Sequence, residues 1–337
     1  MTGKPFLSLR GISKTYAMGP ARLGGPVRNL HAVDDVTLDV LPGETLGLVG
    51  ESGCGKSSLA RMIMQLEPPT SGTMVLKGRD PAELGNAALK EARRDFQMVF
   101  QDPYASLNPR MRARAIIAEV LRNYRFGTPD QINARVEELA RQVGLSAHLL
   151  DRFPHELSGG QCQRVGIARA IALKPRLIVA DEPVSALDVS IQAQILNLIV
   201  ELQSEMGLTL VFVSHDMSVV AHVADRVAVM YLGRLVEIGP SSDIFSRPLH
   251  PYSRTLLAAV PRPVPEARQR HASARGELPS PLNPPSGCHF RTRCPLATER
   301  CSAERPQLRS IEGARQVACH HADADAVGVH VTENLHA

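Results

Sequence analysis

No stretch of this 337-residue chain approaches the roughly 18 consecutive apolar residues that a membrane-spanning helix needs. The opening Met1 to Arg10 segment lacks the apolar run of a secretory signal. Both absences point to a cytoplasmic chain. Aromatic residues are scarce, with five tyrosines, eight phenylalanines and no tryptophan. Charge of one sign is missing too: a formal net charge of +4, with Lys and Arg scattered along the chain, describes a solvated surface and not a nucleic-acid face. There is no internal repeat, and a glycine-rich phosphate loop occurs once. What is present, 44% hydrophobic and 21% charged residues, suits an ordinary globular protein with one large core and an appendage, or with two domains. Of six cysteines, Cys54 and Cys162 stand apart, while Cys288, Cys294, Cys301 and Cys319 crowd the last fifty residues. In a reducing compartment such a group suggests a metal site before it suggests disulfides.

The chain is organised around Gly50, Glu51, Ser52, Gly53, Cys54, Gly55, Lys56 and Ser57, which fit GxxxxGKS, with Ser58 next in line. Thr45 to Val49 reads as a short buried strand before this loop. Leu59, Met62, Ile63 and Leu66 recur at helical spacing after it. Strand, glycine-rich loop and helix in that order make a phosphate cradle: backbone N–H groups turn inward, and the helix adds the positive end of its dipole. Lys56 is expected to reach the β- and γ-phosphates and Ser57 to ligate Mg²⁺.

Residues 5–16 and 31–40 alternate as half-buried strands and predict an antiparallel sheet beside the loop. Tyr16 lies there, able to stack on a base or simply to pack. Short strands are expected at Met74 to Leu76 and over residues 96–101, the second ending on Gln101. From about 110 to 150 the period becomes helical, with Ile132, Val136, Leu139 and Val143 in one stripe. Ser158, in Leu157-Ser158-Gly159-Gly160-Gln161, is a good N-cap for the helix that follows. Leu177 to Ala180 is a continuous apolar run, as expected of a central parallel strand, and delivers Asp181 and Glu182 to its C-terminal end, where open α/β sheets bind ligands. A second buried strand, Leu208 to Val213, runs out at His215, and two short strands follow around 226–239. Beyond Tyr252, prolines at 261, 263, 265, 279, 281, 284 and 285 mark a linker and a loop-rich appendage that contains the four cysteines.

Phosphoryl transfer to water needs charge neutralisation and a positioned nucleophile more than covalent help. Asp181 offers a hard oxygen for Mg²⁺, and Glu182 is the candidate base for the attacking water. His215 could contact the γ-phosphate or be an unremarkable surface residue.

Over roughly residues 5–260 the chain resembles the nucleotide-binding subunits of ATP-binding cassette transporters. The resemblance is carried by Gly50 to Ser57, Gln101, Leu157 to Gln161, Leu177 to Glu182, Ser185 to Asp188, and His215, in the family's order and approximate spacing. It implies an α/β P-loop fold with a parallel core sheet, an antiparallel β subdomain and a helical subdomain at about 102–165. By that resemblance Tyr16 stacks on adenine, and Gln101 ligates Mg²⁺ and links the site to the helical subdomain. Ser158, Gly159, Gly160 and Gln161 would face the nucleotide of an opposite subunit, so one loop and one signature imply a dimer. A closer resemblance is to the second ATPase subunit of bacterial dipeptide and oligopeptide importers, through Phe100 to Tyr104, Ser106 to Pro109, His250-Pro251-Tyr252 and Gly276 to Pro281.

That closer resemblance divides the chain into a cassette (1–255), a Pro-rich, Cys-containing extension (256–325) and a tail (326–337). It implies a different ATPase subunit as dimer partner, two integral membrane permeases, an extracytoplasmic substrate-binding protein, and a place on the cytoplasmic face of the membrane. Related systems import nickel or glutathione, and soluble relatives do not transport at all. Four thiols spaced Cx5C, Cx6C and Cx17C suit an iron–sulfur cluster or Zn²⁺, although structural zinc usually uses a closer pair. The resembled subunits carry a cysteine-rich extension thought to hold a [4Fe–4S] cluster. His289, His320 and His321 keep zinc open, and four unligated thiols are the remaining alternative.

Overall fold

A computed structural model describes residues 4–19, 28–260, 277–311 and 313–322. The expected tail, the linker prolines 261, 263 and 265, and Gly276 lie outside these residues. The chain opens with two long strands, β1 (Leu7–Met18) and β2 (Arg28–Val40). Buried β3 (Thr45–Val49) leads through the glycine-rich loop into α1 (Lys56–Ile63). β4 (Ser71–Leu76), α2 (Asn86–Ala92) and β5 (Phe96–Val99) follow. Three helices come next: α3 (Ala113–Asn123), α4 (Pro129–Gln142) and α5 (Gly159–Ile171). Strands and helices then alternate as β6 (Leu177–Asp181), α6 (Val189–Met206), β7 (Thr209–Ser214), α7 (Met217–Val223) and β8 (Arg226–Tyr231). After β9 (Arg234–Pro240) come α8 (Ser241–Ser246), α9 (Pro251–Ala258), α10 (Glu299–Ala303), β10 (Arg309–Ser310) and β11 (Gln316–Val317).

The expected antiparallel sheet has the order β2-β1-β4. The larger sheet runs β10-β11-β9-β8-β3-β7-β6-β5, parallel from β8 to β5. Strands β3, β6 and β7 are buried along their whole length because both faces are covered, which is why they read as unbroken apolar runs. Their C-terminal ends lie along one edge, so the segments that continue from them meet there. In the helical subdomain Thr128 caps α4, its N–H bonding Gln131 Oε1 at 2.8 Å. The stripe Ile132, Val136, Leu139 and Val143 is buried with Ile116, Ile117 and Leu121 of α3. The strand expected over 96–101 stops at Val99. Phe100 turns out beneath the Arg169 guanidinium, 5.9 Å from its ring centroid, and Gln101 is free to leave the sheet.

The cysteine-rich segment is not a separate appendage. Its strand β11 pairs antiparallel with β9, Gln316 against Ile238 and Val317 against Glu237, and so extends the main sheet. Two-residue strands carry no periodicity that a sequence reading could detect. Beneath this seam the Glu237 carboxylate, fully buried, accepts from the backbone N–H of Leu249 and His250 at 2.9 Å each and from Arg315 Nη2 at 3.0 Å. Next to it, buried His250 caps α9 by accepting from the Tyr252 N–H at 3.0 Å.

Burial pushes His250 from 6.5 down to about 3. Below pH 6.5 the unfolded chain therefore takes up a proton that the folded chain refuses. Its contribution to stability is complete above 6.5 and is lost as the pH falls toward 3, by about 1.4 kcal/mol per pH unit. His250→Asn keeps a cap acceptor but cannot titrate in this range. Urea unfolding from about pH 7 to about pH 4.5 should show wild type losing stability faster than the variant. Parallel curves would contradict this.

Candidate active site

The loop between β3 and α1 is closed so tightly that its glycines are obligatory. Gly55, at φ 107°, would place a Cβ 2.0 Å from the Ala32 carbonyl oxygen, and a Cβ on Gly50 would lie 2.2 Å from that of Met230. Lys56 is buried, and its Nζ donates to the carbonyls of Gly50 at 2.8 Å and Glu51 at 3.0 Å. Cys54 is a buried packing residue whose thiol burial pushes up, with Lys56 acting in the opposite sense. Ser57 Oγ donates to Asp181 Oδ1 at 3.1 Å. Burial holds the Asp181 carboxyl above the usual carboxylate range, the Ser57 bond opposes this, and the neighbouring Glu182 charge adds to it. A hydroxyl beside a buried carboxylate is hard-oxygen chemistry that suits Mg²⁺, which takes few protein ligands and keeps waters and phosphate oxygens.

Glu182 follows β6 in a left-handed conformation, φ 46°, held by its N–H to the Val213 carbonyl at 2.9 Å. This turn carries the side chain from the sheet into the cleft. There its Oε2 accepts from Gln101 Nε2 at 3.1 Å and lies 3.1 Å from His215 Nδ1. Three residues distant in sequence thus meet on one carboxylate oxygen. The cleft, about 1100 Å³, is walled by Tyr16, Ser52, Gly53, Gly55 to Ser58, Gln101, Glu182, Ser185 and His215. Tyr16 donates its hydroxyl to Glu67, and the Lys14 ammonium stands 5.2 Å from its ring centroid.

Ser158, Gly159, Gly160 and Gln161 are not among the residues that wall this cleft. They form the N-terminus of α5: the Ser158 N–H donates to Gln161 Oε1 at 2.9 Å and the Gln161 N–H to Ser158 Oγ at 3.3 Å, a reciprocal cap. A Cβ at Gly160 would collide with Ile191 of α6 at 2.5 Å.

Sequence reasoning missed the extension's approach to the loop. Arg293 grips the Glu51 carboxylate with two bonds, Nη1 at 2.7 Å and Nη2 at 2.9 Å, Tyr252 Oη accepts from the Glu51 N–H at 2.8 Å, and Pro281 stands at the cleft wall. No local pattern marks such long-range partners.

The four clustered cysteines are gathered but are free thiols. Burial first, then the neighbouring thiols, push Cys294 up to about 12 and Cys319 up to about 11, and Cys288 is raised by the same causes. Cys301 Sγ lies 3.6 Å from His321 Nε2, whereas His320 faces the Glu304 carbonyl and His289 lines a cavity of about 270 Å³ that Cys288 also lines. Among the described residues no three His, Cys, Asp or Glu side chains converge to hold a metal ion.

A family described as ABC transporter matches residues 33–185, and one described as oligopeptide/dipeptide transporter, C-terminal region, matches residues 236–301. The chain is 51% identical to a probable peptide ABC transporter ATP-binding protein of Sinorhizobium fredii, over 97% of this chain and 92% of that one. It is 54% identical to the oligopeptide transport ATP-binding protein OppF of Salmonella typhimurium, over 84% and 86% of the two chains. Among solved structures it is similar to the dimeric post-hydrolysis state of the ATP-binding cassette MJ0796 bound to ADP and Pi, with a TM-score of 0.62 and 31% identity over 70% of this chain and 98% of that one. The chain belongs to the ATP-binding cassette transporter family, as an ATPase subunit with the C-terminal region of oligopeptide and dipeptide transporters. Among the described residues no helix is long and apolar enough to cross a membrane.

Proposed function

We propose that this chain hydrolyses ATP to drive import of dipeptides and oligopeptides, as a peripheral subunit on the cytoplasmic face of a membrane. The observation that carries the chemistry is the convergence of Lys56, Ser57, Gln101, Glu182 and His215 on one cleft, with Asp181 bonded to Ser57 at its floor. Lys56 and the loop N–H groups would bind the β- and γ-phosphates, Ser57, Gln101 and Asp181 would hold Mg²⁺, and Tyr16 would stack on adenine. Glu182, held between Gln101 and His215, takes the proton of the attacking water. A helix N-terminus built at Ser158 to Gln161 outside its own cleft supports closure of a partner's site, hence a dimer with a second, different ATPase subunit seated on two permeases. A substrate-binding protein outside the membrane supplies the solute. We assign residues 1–255 to the cassette, 256–325 to the extension and 326–337 to the tail. Peptides as the solute are supported by the names of the similar proteins, because no residue of an ATPase subunit touches the cargo. Uptake of labelled di- and oligopeptides should fall in cells lacking this chain; unchanged uptake of all of them would end the peptide reading.

We further propose that Cys288, Cys294, Cys301 and Cys319 hold a [4Fe–4S] cluster with a bracing role. The grouping of four thiols in one proline-rich segment, in which the Cys288 N–H donates to the Cys301 carbonyl at 2.8 Å, supports this. When bound, the cluster's iron would compensate the charge of four thiolates that burial otherwise disfavours. Anaerobically purified protein should be brown and contain iron and sulfide in equal amounts, and Cys294→Ser should bleach it. Colourless protein without iron would sink the cluster.

A further inference from the structure

The contact between the extension and the phosphate loop reaches further than a packing seam. Every polar group of Glu51 is held: the carboxylate by Arg293 at 2.7 and 2.9 Å, the N–H by Tyr252 Oη at 2.8 Å, and the carbonyl by Lys56 Nζ at 3.0 Å and the Cys54 N–H at 3.3 Å. The partners of the carboxylate and of the N–H come from outside the strand, loop and helix that form the cradle. We propose that Arg293 is a positioning residue for ATP binding, acting from within the cysteine-rich extension through Glu51 on the shape and charge of the phosphate loop.

These restraints do not survive nucleotide binding equally. A lysine ammonium that turns to phosphate oxygens releases the Gly50 and Glu51 carbonyls it now holds. From then on the loop itself holds residue 51 by one 3.3 Å bond from the Cys54 N–H, and its side chain and N–H depend on Arg293 and Tyr252. Charge adds a second reason. Glu51 places a carboxylate in a loop that must accept a polyanion, and the guanidinium of Arg293 neutralises it at contact distance. The fork geometry matters too, because two parallel bonds fix orientation where a single lysine bond would not. Arg293 is itself rigidly placed: its side chain is only 8% exposed, its guanidinium lies 5.9 Å from the ring centroids of both Tyr231 and Phe290, and its N–H donates to the Phe290 carbonyl at 3.0 Å. The extension therefore presents a pre-set cation to the loop.

This inference rests on the loop being the ATP site and not on the identity of the cargo or the state of the cysteines. The test is equilibrium ATP binding by the full chain, with steady-state ATP hydrolysis by the assembled transporter. Arg293→Ala should raise the Kd and KM for ATP about tenfold, the usual scale for a lost charged hydrogen-bonded pair, and leave kcat within about twofold. Arg293→Lys, which keeps the charge and loses the fork, should raise Kd about threefold. In a Glu51→Gln background both substitutions should lose most of their effect, since the carboxylate they act through is gone. If Arg293→Ala does not fold, Arg293→Lys carries the same comparison. An unchanged Kd in folded Arg293 variants, or the same increase with Glu51 and with Gln at position 51, would overturn the proposal. A fall in kcat alone would overturn it as well, because that would place Arg293 in the chemical step. Unaltered peptide uptake in cells lacking the chain would defeat the transport reading and leave these binding measurements standing.

Discussion

ATP turnover by the assembled complex is expected to fall about 10²- to 10⁴-fold when Glu182 becomes Gln, with ATP affinity nearly unchanged. Glutamine has the shape of the native side chain and none of its basicity. Wild-type Glu182 uses one carboxylate oxygen toward both Gln101 and His215, each 3.1 Å away. A glutamine carbonyl oxygen can take that place, so the constellation should stay assembled while the proton acceptor is lost. The groups that bind phosphate, Lys56, Ser57 and the loop N–H groups, do not touch this side chain in the bonds described above. Affinity and turnover must therefore separate. Single-turnover hydrolysis and equilibrium ATP binding, measured on the same preparation, provide the check. Near-normal hydrolysis would remove Glu182 from the role of base, and a parallel collapse of binding would mean that the substitution disturbed the loop.

Arg315→Met is expected to cost about 3–5 kcal/mol of stability, the range seen when one partner of a buried ion pair is removed. Glu237 is fully buried and Arg315 nearly so, and the guanidinium also donates to the Arg247 carbonyl at 2.6 Å. Two backbone N–H donors remain on Glu237 in the variant, but its hydrogen-bonded cation is gone and Arg254 acts on it only electrostatically. The melting temperature should drop on the order of 10 °C. Glu237→Gln removes the charge and keeps an acceptor, so Arg315→Met should cost much less in that background. Thermal unfolding of the four combinations gives the coupling directly. Equal losses with Glu and with Gln at position 237 would show that Arg315 contributes packing and no charge balance.

Much of the cassette is legible in the sequence because its signals are local. The loop from Gly50 to Ser57 lies between a strand and a helix that each declare their period, and Ser158 announces the start of α5 as an N-cap residue ahead of an apolar helical stripe. Asp181 and Glu182 could be placed at a strand end because the run before them is apolar without interruption. That Gln101, Glu182 and His215 share one oxygen could not be read, since the three sit after separate strands whose order in the sheet is a long-range property. The left-handed backbone of Glu182 was equally hidden, as glutamate gives no hint of a positive φ. The extension was least legible. Its sheet contribution is two residues per strand, and its decisive contacts, Arg293 to Glu51 and Arg315 to Glu237, span 242 and 78 positions.

The pairing of β11 with β9 has a consequence for how the protein is made. Strand β9 ends at Pro240 and its neighbour begins at Gln316, some 75 residues later. At synthesis rates of about 5–20 residues per second, the backbone of Glu237 and Ile238 waits roughly 4–15 s on the ribosome before its partner exists. During that interval the nascent cassette exposes an open sheet edge, and the Glu237 side chain lacks the guanidinium that hydrogen-bonds it in the finished fold. A ribosome that stalls before Arg315 would release a chain with its nucleotide loop complete and its sheet unfinished.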